Sequence, residues 1–424
     1  MNKLYLFTIL ILFFSFSNAQ PINPNDSANT SPGNINMVFY NLATRAQTIP
    51  SDTDWHIAVS VRATNFPYHP LGGTTIRINE AIGVNAYVAP NIDTSGFTTL
   101  DTTGWRNWWH LHDADTSIDE GALNSNRNHS DLFNYGWGEY NETTHNVVGD
   151  SVFLIQLPSG EIKKMIVIAL VWDTTFYIKY SNLDNSNLQF IHISKGVNDN
   201  NDKEFMYLDL YDSTVHDKEP ASNAWDLQFL KYAAVDTLGV PDGTMPVSGI
   251  WVNEGDSVAK ATGVDVTSNS YAGLRFSGNL NTIGWNWKPL VDTTGMVQDS
   301  LAYFIKTIPG DIYKLVLTGY NDSTGVFSFY QTLVAAAPTG ISTVEASAQV
   351  SLYPNPANDM VNIICPASVS SKYEIMDITG NILIRGNVTN EPLQINTSRL
   401  AAGIYIVNII DNENVSTRKL VIGH

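Results

Sequence analysis

The chain has 424 residues, of which 43% are hydrophobic and 11% aromatic; that supplies packed cores for two to four domains and excludes a chain disordered throughout. Against 23 Lys and Arg stand 41 Asp and Glu, a net charge of −18, which excludes a nucleic-acid partner held by bulk electrostatics and favours solubility. The single cysteine, Cys365, excludes an intramolecular disulfide framework and any thiolate cluster for zinc or iron–sulfur.

In chain order, Met1-Asn2-Lys3 carries a positive charge, Leu4 to Phe16 is apolar, and Ser17-Asn18-Ala19 forms a small-residue cleavage site. Residues 1–19 therefore read as a cleaved signal peptide, and the expected location is secreted or on the outer cell surface. A membrane span needs about 20 apolar residues and a positive far flank, and Gln20 to Pro24 supplies neither. No cysteine follows the apolar run, so a lipoprotein anchor is not expected, and no later stretch is long and apolar enough to span a bilayer.

From Asn34 onward, short segments rich in Val, Ile, Thr, Tyr and Trp alternate with Asn, Asp, Gly and Pro. Trp55 to Arg62, Ser151 to Leu157, Lys163 to Trp172, Thr175 to Tyr180 and Gly325 to Leu333 are predicted strands, and helical periodicity is nearly absent. The predicted class is all-β, as curved sheets or sandwiches.

The chain also repeats itself. Phe39-Tyr40-Asn41-Leu42 and Trp55-His56-Ile57-Ala58-Val59 are matched by Tyr207-Leu208-Asp209-Leu210 and Trp225-Asp226-Leu227-Gln228-Phe229. Further on, Gly136-Trp137, Asp150-Ser151 and Gly160 to Val167 are matched by Gly284-Trp285, Asp299-Ser300 and Gly310 to Leu317. A first copy at 34–195 and a second at 204–335 follow, joined by a polar linker from Gly196 to Lys203. Trp55 to Gly160 spans 105 positions and Trp225 to Gly310 spans 85, so the first copy carries an insertion of 20. It falls among Trp105, Trp108, Trp109, His110, His112 and His129, where loops or extra hairpins concentrate function.

A third unit, 344–424, follows the small-residue linker Ala335 to Thr339. Its marks are Leu352 to Asp359, Met376-Asp377-Ile378-Thr379-Gly380, Leu400 to Val407 and Lys419 to Ile422, with turns that predict a small immunoglobulin-like sandwich of seven strands. This segment resembles the type A C-terminal sorting domain of the bacterial type IX secretion system. The resemblance implies a partner, the type IX machinery, and passage across the outer membrane followed by release or surface attachment.

Enzyme signatures are missing: there is no Gly-x-Ser-x-Gly elbow, His-Glu-x-x-His, phosphate loop or complete calcium loop, and no enzymatic activity is expected. Asn198 to Asp202 reads as a solvated linker, and Cys365 as a small buried hydrophobe. His110-Leu111-His112 places two imidazoles on one face of a strand, where they suit a metal or simply stand beside the tryptophan cluster. His56, after the strand-opening tryptophan, reads as an exposed strand residue; His69 reads as a loop residue, and His192 as pointing to solvent. Met245 and Met296 read as packing residues.

The repeat resembles the HmuY-like family of haem-binding proteins. The matching features are Trp225 to Phe229, Leu301 to Thr307, Pro309-Gly310-Asp311 and Ile312 to Leu317, with Trp55 to Val59, Ser151 to Leu157, Ser159-Gly160-Glu161 and Ile162 to Ala169 in the first copy. The resemblance implies two tandem HmuY-like curved β domains and haem held between two axial histidines in an apolar cleft. The family's Trp-x-acidic-aromatic run falls at Trp137-Gly138-Glu139-Tyr140, with His145 the nearest histidine after it. For the other ligand His112, His110 and His129 compete, and His112 with His145 is the favoured pair. The second copy, with only His216, cannot repeat this chemistry. Haem, or a haem-carrying protein, is then the expected partner. The competing expectation is a surface module for glycan or protein in which Trp105, Trp108 and Trp109, with Trp137 and Tyr140, stack on ligand without haem.

Overall fold

The computed structural model describes residues 23–62, 73–195, 203–235, 243–288, 297–337, 351–364, 372–377, 381–388, 393–411 and 414–423. The segment read as a signal peptide, His69, the linker at 196–202, Met296 and Cys365 lie outside the described residues. The chain divides into two compact units, Met1–Ala337 and Pro338–His424. The division falls inside the small-residue linker read from the sequence.

The first unit opens with β1 (Asp26–Asn29), β2 (Val38–Tyr40) and β3 (Gln47–Thr48). There follow β4 (Ile57–Ser60), β5 (Ile76–Ile78), β6 (Asn85–Val88), β7 (Trp109–Leu111), β8 (Gly138–Asn141), β9 (Asn146–Gly149), β10 (Phe153–Gln156), β11 (Ile162–Val171), β12 (Thr175–Asn182) and β13 (Gln189–Ser194). Then come β14 (Phe205–Leu208), β15 (Val215–His216), β16 (Leu227–Val235), β17 (Thr244–Val252), β18 (Ser257–Thr262), β19 (Leu301–Lys306), β20 (Ile312–Asn321) and β21 (Val326–Ala335). All five segments predicted as strands carry one, and the molecule is all-β and antiparallel.

The repeat is closed by exchange. The opening strand of each copy pairs with the tryptophan-led strand of the other: β2 with β16, through Tyr40 opposite Leu227, and β14 with β4, through Leu208 opposite Ile57. Likewise β1 pairs with β21. Gly325 permits this last closure, because a Cβ there would collide with the Ser31 carbonyl and its φ is +70°. Thus 34–195 and 204–335 describe the repeat along the chain, whereas the packed modules comprise 57–216 and 227–335 with 26–48.

Each module is a sandwich. In the first, β15-β14-β4-β5 packs on the sheet β13-β12-β11-β10-β6-β7, to which the β8–β9 hairpin is joined through β11. In the second, β17-β16-β2-β3 packs on β1-β21-β20-β19-β18. The two short sheets then pack back to back, so β2, β4 and β5 are buried on both faces, while β3 at the edge is exposed. In β2, Val38 and Tyr40 enter the second module's core, while Phe39 joins Trp55, Phe205, Tyr207, Trp225 and Leu230 between the modules. Period 2 with two apolar faces explains why such strands read as continuous apolar runs. Each large side chain so enclosed contributes about 1.5–3 kcal/mol.

The repeat alignment holds in atomic detail at most positions. Bulges fall between Val167 and Ala169 in β11 and between Leu317 and Gly319 in β20, at equivalent places relative to Gly160 and Gly310. Asn79 donates to the carbonyls of Asp52 and Trp55, as Asn253 does to those of Ser222 and Trp225. Two readings are corrected. The partner of Trp137 is Trp287, not Trp285: both are fully buried, packing on Phe176 and Phe327, while Trp285 is half-buried between the modules. His56 is not exposed but 1% accessible, because strand exchange covers it with Leu208 to Tyr211. His192 is exposed and Met245 is buried, as read.

The second unit contains β22 (Ser351–Tyr353), β23 (Met360–Ile364), β24 (Lys372–Met376), β25 (Ile382–Asn387), β26 (Leu393–Asn396), β27 (Gly403–Asp411) and β28 (Asn414–Ile422). The sheets β22-β23-β26 and β25-β24-β27-β28 share a core that includes Val361, Ile363, Ile375, Val407 and Leu420. In the Tyr-Pro-Asn-Pro run, the Asn355 side chain donates to Lys419 O and accepts from Val421 N, both at 2.8 Å, which fixes the closing strand.

Candidate functional site

The nominated residues fall into separate groups. Alternation along β7 puts His110 and His112 side by side, ring centroids 4.1 Å apart. His110 stacks on Tyr87 of the neighbouring β6, 4.6 Å away and 13° from parallel, and His112 Nδ1 lies 2.6 Å from Glu80 Oε1. Glu80 stands on a short 3₁₀ turn, Glu80–Ile82, and its other oxygen accepts Asp113 N. Trp105 is buried edge-on to Tyr87, Trp108 packs beside Phe97, and Trp109 is 61% exposed. His129 lies exposed in a loop. Trp137 is enclosed in the core, its Nε1 donating to Thr74 O at 2.8 Å, so it holds the fold together and presents no face to a ligand.

His145 and Tyr140 line a different feature, a cavity of about 360 Å³ under the β8–β9 hairpin, together with Thr74, Tyr135, Val147, Leu170, Trp172 and Asp173. Two turns build its rim. The hairpin turn is held by Asn141 Oδ1, which accepts from Thr143 N and Thr144 N, and ends on His145 at φ +56°. The β11–β12 turn sets both Trp172 and Asp173 at φ +52°, closed by Thr174 N to Val171 O. Paired positive φ values are the type I′ geometry that normally takes Asn-Gly. A tryptophan there is strained, and 67% of it faces solvent. Asn146 ties the two turns together by accepting Trp172 N at 3.0 Å.

Polar groups are placed around this aromatic wall. Tyr140 Oη and His145 Nδ1 are 2.8 Å apart. Asp173 pairs with Lys195, which also donates to Gly73 O. Burial, with the nearby Tyr140 and Asp173, raises the Tyr135 phenol to about 12, so it stays protonated and can donate. Rings for stacking beside a carboxylate, hydroxyls and an imidazole suit a ring-shaped ligand with hydrogen-bonding groups on its edge.

A second cavity, between the modules, is lined by Asp52, Arg77, Asp113, Glu219, Trp225 and Trp251 among others, but holds only about 60 Å³. That is room for about two waters. Glu219 there accepts from Glu204 N, Phe205 N and Tyr207 Oη, and Arg77 donates to the carbonyls of Ala114 and Ser117, while among the described residues Trp225 Nε1, Trp251 Nε1 and Tyr232 Oη are buried without a hydrogen-bond partner.

The pair of axial imidazoles does not fit haem in this arrangement. Only His145 lines the large cavity; His110 and His112 contact Tyr87 and Glu80 instead. Trp172 and Asp173 were not singled out in the sequence. Their signal was a large aromatic in a tight turn, Val171-Trp172-Asp173-Thr174, without a glycine to take the positive φ.

Residues 351–423 match the family described as the secretion system C-terminal sorting domain. The C-terminal unit is therefore a type IX secretion sorting domain, which points the chain to secretion or the cell surface through that machinery. No family match supports the HmuY-like resemblance of the repeat. No curated protein and no solved structure matches the chain. Among the described residues, no helix is long and apolar enough to cross a membrane.

Proposed function

We propose that the protein is a secreted, non-enzymatic binding protein that takes a neutral saccharide in the aromatic cavity of the first module. The observation that carries this reading is Trp172, held exposed in a left-handed turn at the rim and joined by Tyr140, Tyr135 and the Asp173 carboxylate. Sugar rings stack their C–H faces on such side chains, and a carboxylate and phenols hydrogen-bond their hydroxyls. The second module lacks these groups: its equivalent turn is Asn321-Asp322-Ser323-Thr324-Gly325, with glycine at the positive φ.

Charge also favours a neutral ligand over a porphyrin bearing two carboxylates. The cavity contains Asp173, its neighbouring Lys195 is already paired, and the chain carries −18. A second reading keeps haem, with His145 as one axial nitrogen against the apolar Val147 and Leu170.

Isothermal titration of the full chain against a panel of neutral oligosaccharides tests the proposal. Saturable binding that falls by about 5–150-fold in Trp172→Ala and in Asp173→Asn is expected, given about 1–3 kcal/mol for a lost stacking or hydrogen-bonding contact. Binding unchanged in both variants would remove the site.

A further inference from the structure

We propose that the aromatic cavity takes the end of a glycan chain, one terminal sugar ring entering it while the rest of the chain leaves past Trp172. The inference rests on the saccharide reading and narrows it to a class of ligand. It is carried by the placement of the lining residues, which close the cavity behind and open it on the side of the two turns. Tyr135, Val147 and Leu170 belong to the hydrophobic core of the first module, and none is more than 4% accessible. They pack in the same core as Trp137 and Phe176, so a chain cannot run out through that wall.

The closed side is also fixed in place. Asn124, itself buried, donates to Tyr135 O at 3.0 Å and Thr74 O at 3.3 Å, and its Oδ1 accepts Ile76 N at 2.9 Å. Walls held this way need little ordering when a ligand arrives. On the other side, among the eight described residues that line the cavity, only His145 and Trp172 are exposed. Both stand on the two turns that Asn146 ties together. Tyr140, His145 and Trp172 make an arc of rings, each 6.3 Å from the next between centroids. The entrance therefore lies at the turns, where these rings can stack on the sugar that follows the terminal one.

The cavity volume of about 360 Å³ stands near the lower end of the range for small-molecule pockets, about 300–1,000 Å³. An interior stretch of a polysaccharide both enters and leaves its site, so it needs a groove open at two ends. A cavity backed by core side chains gives it no exit. A terminal ring needs none, and its edge hydroxyls meet Tyr135 at the closed side. Burial, with Tyr140 and Asp173 adding to it, keeps that phenol protonated, so it donates to a sugar oxygen.

The test is calorimetry of the full chain with gluco-, manno-, galacto- and xylo-oligosaccharides, from the monosaccharide to the hexasaccharide. Each is also prepared with its reducing end converted to the alditol, or with its non-reducing end capped by a 4-O-methyl group. In a series that binds, affinity per chain should level off by the trisaccharide and change less than about twofold from there to the hexasaccharide. Modifying one of the two ends should weaken binding at least about tenfold, because the altered ring no longer fits the closed cavity. Tyr135→Phe, checked by a thermal melt to be folded, should weaken every length by the same factor of about 2–12, since each chain places one ring there. Affinity that climbs with every added unit and tolerates both modified ends would overturn the inference and leave the saccharide reading standing. Absence of saturable binding across all four series would remove both.

Discussion

His56 Nδ1 accepts the backbone N–H of Leu210 at 3.1 Å, and the same position in the second copy, Asp226, accepts that of Leu42 at 2.6 Å. Each bond crosses from one copy to the opening strand of the other. A buried N–H left without its acceptor costs about 1–3 kcal/mol. His56→Ala and Asp226→Ala should each lower stability by that amount, measured by urea unfolding.

His56 also predicts an acid limb. Burial lowers its pKa, opposed by the Asp209 carboxylate 3.2 Å away, so the native imidazole stays neutral. The unfolded chain takes a proton below about 6.5 that the native state resists, so this contribution to stability falls as pH drops through that value. His56→Asn keeps an acceptor and removes the titration. Melting curves from pH 7 to 5 should show a shallower loss in that variant.

The carboxylates between the modules act in the opposite sense. Burial pushes Glu219 up to about 8, with Glu204 adding to it, and burial pushes Asp52 up to about 7. An acid whose native pKa is raised stabilises below its unfolded value near 4, and that contribution is lost as pH rises through the native pKa. Glu219→Gln retains an acceptor for Glu204 N and Phe205 N without the charge. It should melt higher than the parent at pH 8 and lose less between pH 5 and 8.

Strand exchange predicts which fragments fold. A fragment of 55–220 holds a complete module, whereas 204–335 lacks β1 and β2 and exposes the edges of β21 and β16. The first should give a cooperative melt and a dispersed NMR spectrum, and the second should not. Adding a peptide of residues 23–52 to the second should restore structure.

Core and rim tryptophans should separate cleanly. Trp137→Ala and Trp287→Ala, both fully enclosed, should each cost about 3–5 kcal/mol, while exposed Trp109→Ala should stay within about 0.5. Trp172→Gly should raise the melting temperature by relieving the left-handed turn, while abolishing saccharide binding.

The sequence carried the local structure well and the long-range structure poorly. Alternation and turn residues located the strands, and self-similarity located the repeat, because both are properties of neighbouring residues. The exchange of β2 and β14 was not legible, since an alternating strand does not state its partner. The burial of His56 depends on that exchange and was missed with it. Trp287 was misaligned because Trp285 and Trp287 are two residues apart in a strand-poor loop, and only packing on Phe327 distinguishes them. His145 and Tyr140 were picked out and do line the large cavity, but Leu170, Trp172 and Asp173 reach it from another hairpin. The sorting domain was read in full because its motifs are contiguous.

The most direct test of the central claim is a paired titration of the full chain, first with the neutral oligosaccharide panel and then with ferric haem, on the parent, Trp172→Ala and His145→Ala. Tryptophan emission would follow the sugar and the Soret band would follow haem. The account predicts saturable sugar binding weakened by about 5–150-fold in Trp172→Ala and a haem spectrum that neither substitution alters. A Soret band sharpened by the parent and lost in His145→Ala, with no sugar bound, would contradict it.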